Sequence, residues 1–229
     1  MNAMTTPDDE CSVDELATWL ARRLPDDRRY LLGIAGPPAA GKSTLSEQLA
    51  QALTQREGVA AQIAPMDGFH MTSQRLSDVG ALERKGEPDT FDVDGFVTAL
   101  AALRSARAGV VVRWPAFDRV LDDPVPEAIT FAHQRVAVVE GNYLLLRQSG
   151  WSEVRDLLDE VWYLDADDTV LERRLLDRHL AGGRTPERAK TKVADSDMVN
   201  ARLIASTREH ADVVLRESQG AYVLLGHRT

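Results

Sequence analysis

Cysteine is almost missing from this 229-residue chain: Cys11 stands alone, and no cluster of Cys and His has metal-ligand spacing. An internal disulfide is excluded, a reducing compartment is the economical expectation, and Cys11 reads as chemically inert. No apolar run approaches the roughly 18 residues of a membrane span. The polar, acidic start at residues 1–10 lacks the basic and apolar regions of a secretory leader. The expectation is a cytoplasmic protein with no membrane partner. Positive charge is in deficit as well: the formal net charge of -9 argues against nucleic acid, whose phosphates are held by stripes of Lys and Arg. Small ligands fit better. There is also no internal repeat and no low-complexity tract, which removes solenoids and linker-rich chains from consideration.

What is present is an ordinary globular composition, 44% apolar and 28% charged, at a length for which one large domain is the better prior than two. Helical spacing of Val13, Leu16, Ala17, Leu20 and Leu24 predicts a first helix, broken at residues 25–29 before a buried strand at 30–35. A helix over 43–55 and a strand over 59–64 complete a βαβ unit. Residues 65–91 show no sustained period and are expected to form a long functional loop or lid. Asp94 is expected to cap a helix carrying Phe96, Leu100 and Leu103, followed by a strand at 110–113 and a Pro-rich turn at 122–126. Strands at 136–139 and 161–164 end in Glu140 and Asp165, and either carboxylate is placed to face a ligand. Thr169 with Glu172 suggests a capping box for a helix stopped by Gly182-Gly183, with another helix from Pro186 and two short final strands. Strands alternating with helices predict an α/β fold with a mainly parallel sheet, helices on both faces and the ligand at the strand C-termini.

The most specific signal is Gly36-Pro37-Pro38-Ala39-Ala40-Gly41-Lys42-Ser43, a G-x-x-x-x-G-K-[ST] pattern followed by Thr44 and set between a predicted strand and a predicted helix. Backbone N–H groups of such a loop cradle phosphates, the lysine neutralises the transferring end, and the serine hydroxyl ligates magnesium. The expected ligands are therefore ATP and Mg2+. A guanine-reading N-K-x-D is missing: Asn2, Asn142 and Asn200 are followed by Ala, Tyr and Ala.

Phosphoryl transfer to a hydroxyl needs a carboxylate near the acceptor, and Asp67, just after the second strand of the βαβ unit, is the candidate base, although Asp67-Gly68 also suits a plain Asx turn. His70 can bind a substrate hydroxyl or serve as a packing residue. Glu140 is preferred to Asp165 for the magnesium shell. The segment 173–192 holds seven Lys or Arg. Within it Arg174 and Arg178 share a helix face and Arg184 follows a glycine hinge, so it can close over ATP, or it can be a solvated basic surface.

Five ordered motifs, G-P-P-A-A-G-K-S-T at 36–44, M-D-G-F-H at 66–70, R-K-G-E-P-D-T-F-D at 84–92, P-A-F-D-R at 115–119 and V-V-E-G-N-Y-L-L-L at 138–146, together resemble the phosphoribulokinase/uridine kinase family. The likeness is to its bacterial nucleoside/nucleotide-kinase-type members, some of them associated with fructose transport. The resemblance implies a P-loop nucleoside triphosphate hydrolase fold with a lid. The resemblance spans about residues 30–215, and residues 29–229 are expected to form the kinase domain behind an N-terminal helix region at 1–28, one domain overall. It also implies Asp67 as base or acceptor-orienting carboxylate, Glu140 near magnesium, a lid at 178–184, and His70, Phe117, Asp118, Arg119 and Tyr143 around a small-molecule acceptor with a free hydroxyl. Uridine kinases of the family commonly carry D-S-F-Y where this chain has Asp67-Gly68-Phe69-His70, and pantothenate kinases also differ downstream of the aspartate. The expected acceptor is thus of sugar or nucleoside type, with uridine or pantothenate as alternatives. An ATPase or an ATP-binding regulator remains the rival reading, and a homodimer is compatible with the sequence.

Overall fold

The computed structural model describes residues 10–148 and 150–227, so most of the acidic start lies outside the described residues. Strand β1 (Glu10–Cys11) and helix α1 (Val13–Ala21) precede β2 (Tyr30–Ala35), α2 (Lys42–Gln55) and β3 (Ala61–Pro65). Next come α3 (Ser73–Asp78), α4 (Val93–Ser105), a hairpin of β4 (Val112–Asp118) and β5 (Asp123–Phe131), β6 (Val136–Glu140) and α5 (Val154–Leu157). The chain ends with β7 (Glu160–Asp165), α6 (Asp168–Ala181), α7 (Pro186–Lys192), α8 (Met198–Ala205), β8 (Val213–Ser218) and β9 (Ala221–His227). No helix among the described residues is long and apolar enough to cross a membrane.

The seven-stranded sheet has the order β1-β9-β8-β7-β2-β6-β3. Strands β8, β7, β2, β6 and β3 run parallel, while β9 and β1 are antiparallel additions at one edge. Both faces are covered, which is why β2 is apolar without interruption. Leu32 and Ile34 join Leu16, Leu20, Leu45, Leu49, Leu171 and Leu175 on one side. Leu31 and Ala35 join Phe96, Leu100, Leu103 and Val154 on the other.

Several local expectations are corrected. The helix expected to start from Asp94 is capped by Asp92, whose carboxylate accepts from the Gly95 N–H at 3.2 Å. No side-chain cap bond forms at the start of α6, so Thr169 and Glu172 make no capping box there. The stretch 65–91 is not one irregular loop: it contains α3 and short 3₁₀ turns. Prolines misled the reading of the hairpin. β4 continues through Pro115, where its register slips, and β5 includes Pro124 and Pro126 instead of a turn. In a two-stranded ribbon each strand is an edge, so prolines without an N–H are tolerated.

One buried cation ties these layers together. Arg29, 4% exposed, donates to the carbonyls of Gln134 at 2.9 Å, Leu103 at 2.8 Å and Ala132 at 3.3 Å, closing the C-terminal turn of α4 against the start of the central strands. Arg29→Met leaves these carbonyls without their charged donor and is expected to destabilise the fold by about 3 kcal/mol, read from the midpoint of urea unfolding.

Candidate functional site

At the C-terminal edge of the parallel strands, the ends of β2, β3 and β6 open onto a cleft of about 1040 Å³. The turn after β2 enters α2 through Gly41, so the N-terminal N–H groups of that helix point into the cleft. Gly36 makes the turn: its φ is 146°, and an added Cβ would lie 2.5 Å from the Leu164 carbonyl at the end of β7. Only glycine fits there. Pro38, Ala39, Ala40, Gly41, Lys42, Ser43 and Thr44 line the cleft, while Gly36 and Pro37 lie outside its lining. The Lys42 ammonium is buried and donates to the Pro37 carbonyl at 2.9 Å. Burial lowers its pKa and the neighbouring Arg178 lowers it further, whereas Glu140 and Asp67 raise it.

Glu140, the last residue of β6, accepts a hydrogen bond from the Ser43 hydroxyl at 3.4 Å. Burial raises its carboxyl pKa and Asp67 adds to this; Lys42, the Ser43 hydrogen bond and Arg119 favour the ionised form. Among the described residues no group of three or more His, Cys, Asp or Glu side chains forms a metal cage. An all-oxygen pair of Ser43 and Glu140 beside a phosphate cradle suits magnesium, which takes few protein ligands and completes its shell with water and phosphate oxygens. Asp165, the other strand-end carboxylate, is turned to structure: it pairs with Arg216 at 2.8 Å and Arg208 at 3.6 Å.

Asp67 sits in the 3₁₀ turn Met66–Phe69 that follows β3 and lines the cleft within electrostatic reach of Lys42. His70 Nδ1 lies 2.8 Å from the Asp67 backbone oxygen. A carbonyl only accepts, so Nδ1 carries the proton and Nε2 is the acceptor of the neutral ring. Burial depresses the His70 pKa, which keeps that form at neutral pH. The ring packs between Phe91 at 4.0 Å and Phe117 at 4.8 Å, forming one aromatic wall. Tyr143 lines the cleft too, but its hydroxyl donates to the Gly86 carbonyl at 2.6 Å and so holds the 84–92 segment in place. Asp118 is outside the lining: its carboxylate accepts from the N–H groups of Val120 at 2.8 Å and Leu121 at 3.0 Å, capping the hairpin turn. Arg119 does line the cleft.

The hairpin is clamped to the body at two points. Trp114 Nε1 donates to the Pro65 carbonyl at 3.0 Å. Lys85 bonds to Ser73 Oγ at 2.8 Å, to the Asp122 carbonyl, and to the carboxylates of Asp122 at 3.2 Å and Asp123 at 3.3 Å, with its ammonium 5.1 Å from the centre of the Phe117 ring. Close approach between the two bodies is also required at Gly68, where a Cβ would overlap the Pro115 carbonyl, 2.6 Å from its carbon. Lys85 and Phe91 were missed as site residues from the sequence; the only signal for them is their place in the 84–92 motif.

From α6, Arg174 donates to the carbonyls of Ala39 at 3.3 Å and Ala40 at 3.4 Å and pairs with Glu217 at 3.2 Å, so it braces the phosphate loop. Arg178 and Arg184 line the same cleft. His179 and Asp197, which line the cleft as well, are 2.6 Å apart and join α6 to a wide π turn, Val193–Asp197.

The phosphoribulokinase / uridine kinase family pattern matches residues 31–221. A Schizosaccharomyces pombe protein named "Putative uridine kinase C227.14" is 34% identical, covering 91% of this chain and 92% of its own length. The Escherichia coli protein "Uncharacterized protein YggC" is 35% identical over 85% of this chain and 81% of its own. A solved structure from Silicibacter sp. TM1040, described as a "putative fructose transport system kinase", superposes with a TM-score of 0.82 at 36% identity, covering 89% of this chain and 98% of that one. Phosphate loop, strand-end Glu140 and the arginines of α6 thus occur together in a chain whose matched region takes in the five parallel strands of the sheet, and the chain belongs to the phosphoribulokinase / uridine kinase family.

Proposed function

We propose that this kinase-family chain transfers the γ-phosphoryl group of ATP to a hydroxyl of a small metabolite of sugar or nucleoside type. The observation that carries the reading is one cleft lined by Lys42, Ser43, Glu140 and Asp67 together with the His70 wall. Ser43 and Glu140 would hold magnesium, which would supply neutralisation of phosphate charge there. The helix N-terminus and Lys42 hold the phosphates, and Arg178 adds a second cation near Lys42. Asp67 accepts the proton of the acceptor hydroxyl as its oxygen bonds to the γ-phosphorus and the bond to the β-bridging oxygen breaks, releasing ADP. His70 Nε2 is available to accept a hydrogen bond from a second hydroxyl.

An ATPase would need no acceptor wall, and an ATP-binding regulator would need no base, so product identity separates the three. Purified protein with Mg-ATP is offered hexoses, nucleosides, pantothenate and glycerate, with phosphorylated product read by mass alongside ADP. One product is expected. ADP without any product would favour an ATPase, and tight ATP binding without turnover on any acceptor would favour a regulator.

A further inference from the structure

The acceptor end of the cleft contains a cation that the transfer chemistry does not use. Arg119 follows β4 at the tip of the hairpin and lines the cleft beside Phe117. Its guanidinium makes no hydrogen bond or ion pair among the described residues and acts on Glu140 only at longer range. The carboxylates nearest to it in sequence are committed elsewhere. Asp118 caps the turn through the Val120 and Leu121 N–H groups, and Asp122 and Asp123 are paired with Lys85. The phosphate-loop end of the cleft already has Lys42 at the start of α2, Arg174 and Arg178 on α6, and Arg184 after the glycines that follow α6.

A guanidinium recognises carboxylate or phosphate oxygens through its planar fork, and the attraction strengthens as a ligand displaces water from the cleft. Neighbouring Phe117, His70 and Phe91 line the cleft as one aromatic surface against which a carbon skeleton can pack. We infer that the acceptor carries, besides its reactive hydroxyl, an anionic group, carboxylate or phosphate monoester, and that Arg119 reads it. This rests on the kinase reading above: Asp67 takes the hydroxyl proton while Arg119, anchored through the Lys85 clamp, fixes the far end of the molecule.

Matched acceptors that differ in the anionic group test it: gluconate and glucose 6-phosphate against glucose, glycerate against glycerol. The wild-type protein is expected to favour the anionic member of a pair, and whether the acid or the phosphate ester wins identifies the source of the charge. Arg119→Gln should raise the acceptor KM roughly 10- to 150-fold with the KM for ATP unmoved, and Arg119→Lys should recover part of the loss. Preference of the wild type for the neutral member overturns the inference. So does a loss in Arg119→Gln confined to kcat, which would place the guanidinium on the transferring phosphoryl group. Thermal stability with Mg-ADP bound is measured across the same panel, and no reaction and no rise in Tm with any anionic member also overturns it. In every one of these cases the kinase reading stands if a neutral acceptor is phosphorylated, and it falls separately if ADP forms without any product.

Discussion

Asp67→Asn is expected to lower kcat roughly 10²- to 10⁴-fold with little change in ATP affinity. The substitution keeps the size and hydrogen-bonding reach of the side chain and removes only its capacity to take a proton. Because Asp67 lies on the 3₁₀ turn after β3 and not on the phosphate loop, the backbone groups of that loop are expected to hold ATP as before. Loss of the negative charge also removes a group that raises the pKa of Lys42 and of the Glu140 carboxyl alike, since a nearby negative charge favours the protonated form of each, the charged lysine and the neutral acid. A modest shift in metal dependence therefore accompanies the drop in turnover. Full turnover with the true acceptor in Asp67→Asn would reject the assignment and leave the Asx turn as the whole explanation of Asp67-Gly68.

Lys42→Met is expected to reduce kcat roughly 10²- to 10³-fold, the cost of removing one preorganised positive partner of the developing charge. Here stability and activity should part company. Lys42 is buried and held by one carbonyl bond, and burial already opposes its charge. An apolar side chain of similar length relieves that penalty but leaves the buried Glu140 carboxyl without its cation, so the two effects on Tm oppose each other and the change in Tm should be small beside the loss of activity. Glu140 would lose the cation that most favours its ionised form and bind protons more readily. Kinetics paired with thermal unfolding check the expectation, and unchanged ATP binding with unchanged turnover would refute the site.

How much of this was legible without coordinates depends on the range over which each feature is determined. β2 was read to the residue, Tyr30–Ala35, because a strand covered on both faces shows as an unbroken apolar run ending in the phosphate-loop glycine. The loop itself is local chemistry, written in eight consecutive residues. The acceptor wall is not local. His70, Phe91 and Phe117 meet through an isolated bridge between residues 70 and 91 and through the hairpin clamp at Lys85, contacts that no periodicity reports. Asp118 shows the same lesson at single-residue scale. It adjoins a residue that lines the cleft on each side, yet strand alternation and the turn send its carboxylate to the backbone instead. Proline was the other source of error, since a breaker in a central strand is tolerated in a ribbon.

The meeting of Gly68 with Pro115 sets more than a packing distance. Two main chains touch there, so the hairpin has a hard stop, and Phe117 and Arg119 travel with it as parts of a single jaw. A side chain at position 68, such as the serine of D-S-F-Y sequences, would hold that jaw further open and shift both residues together. In the proposed reading the room left for an acceptor is gauged by a spacer beneath the hairpin, and a change of one β-carbon can move a whole wall whose own residues stay the same.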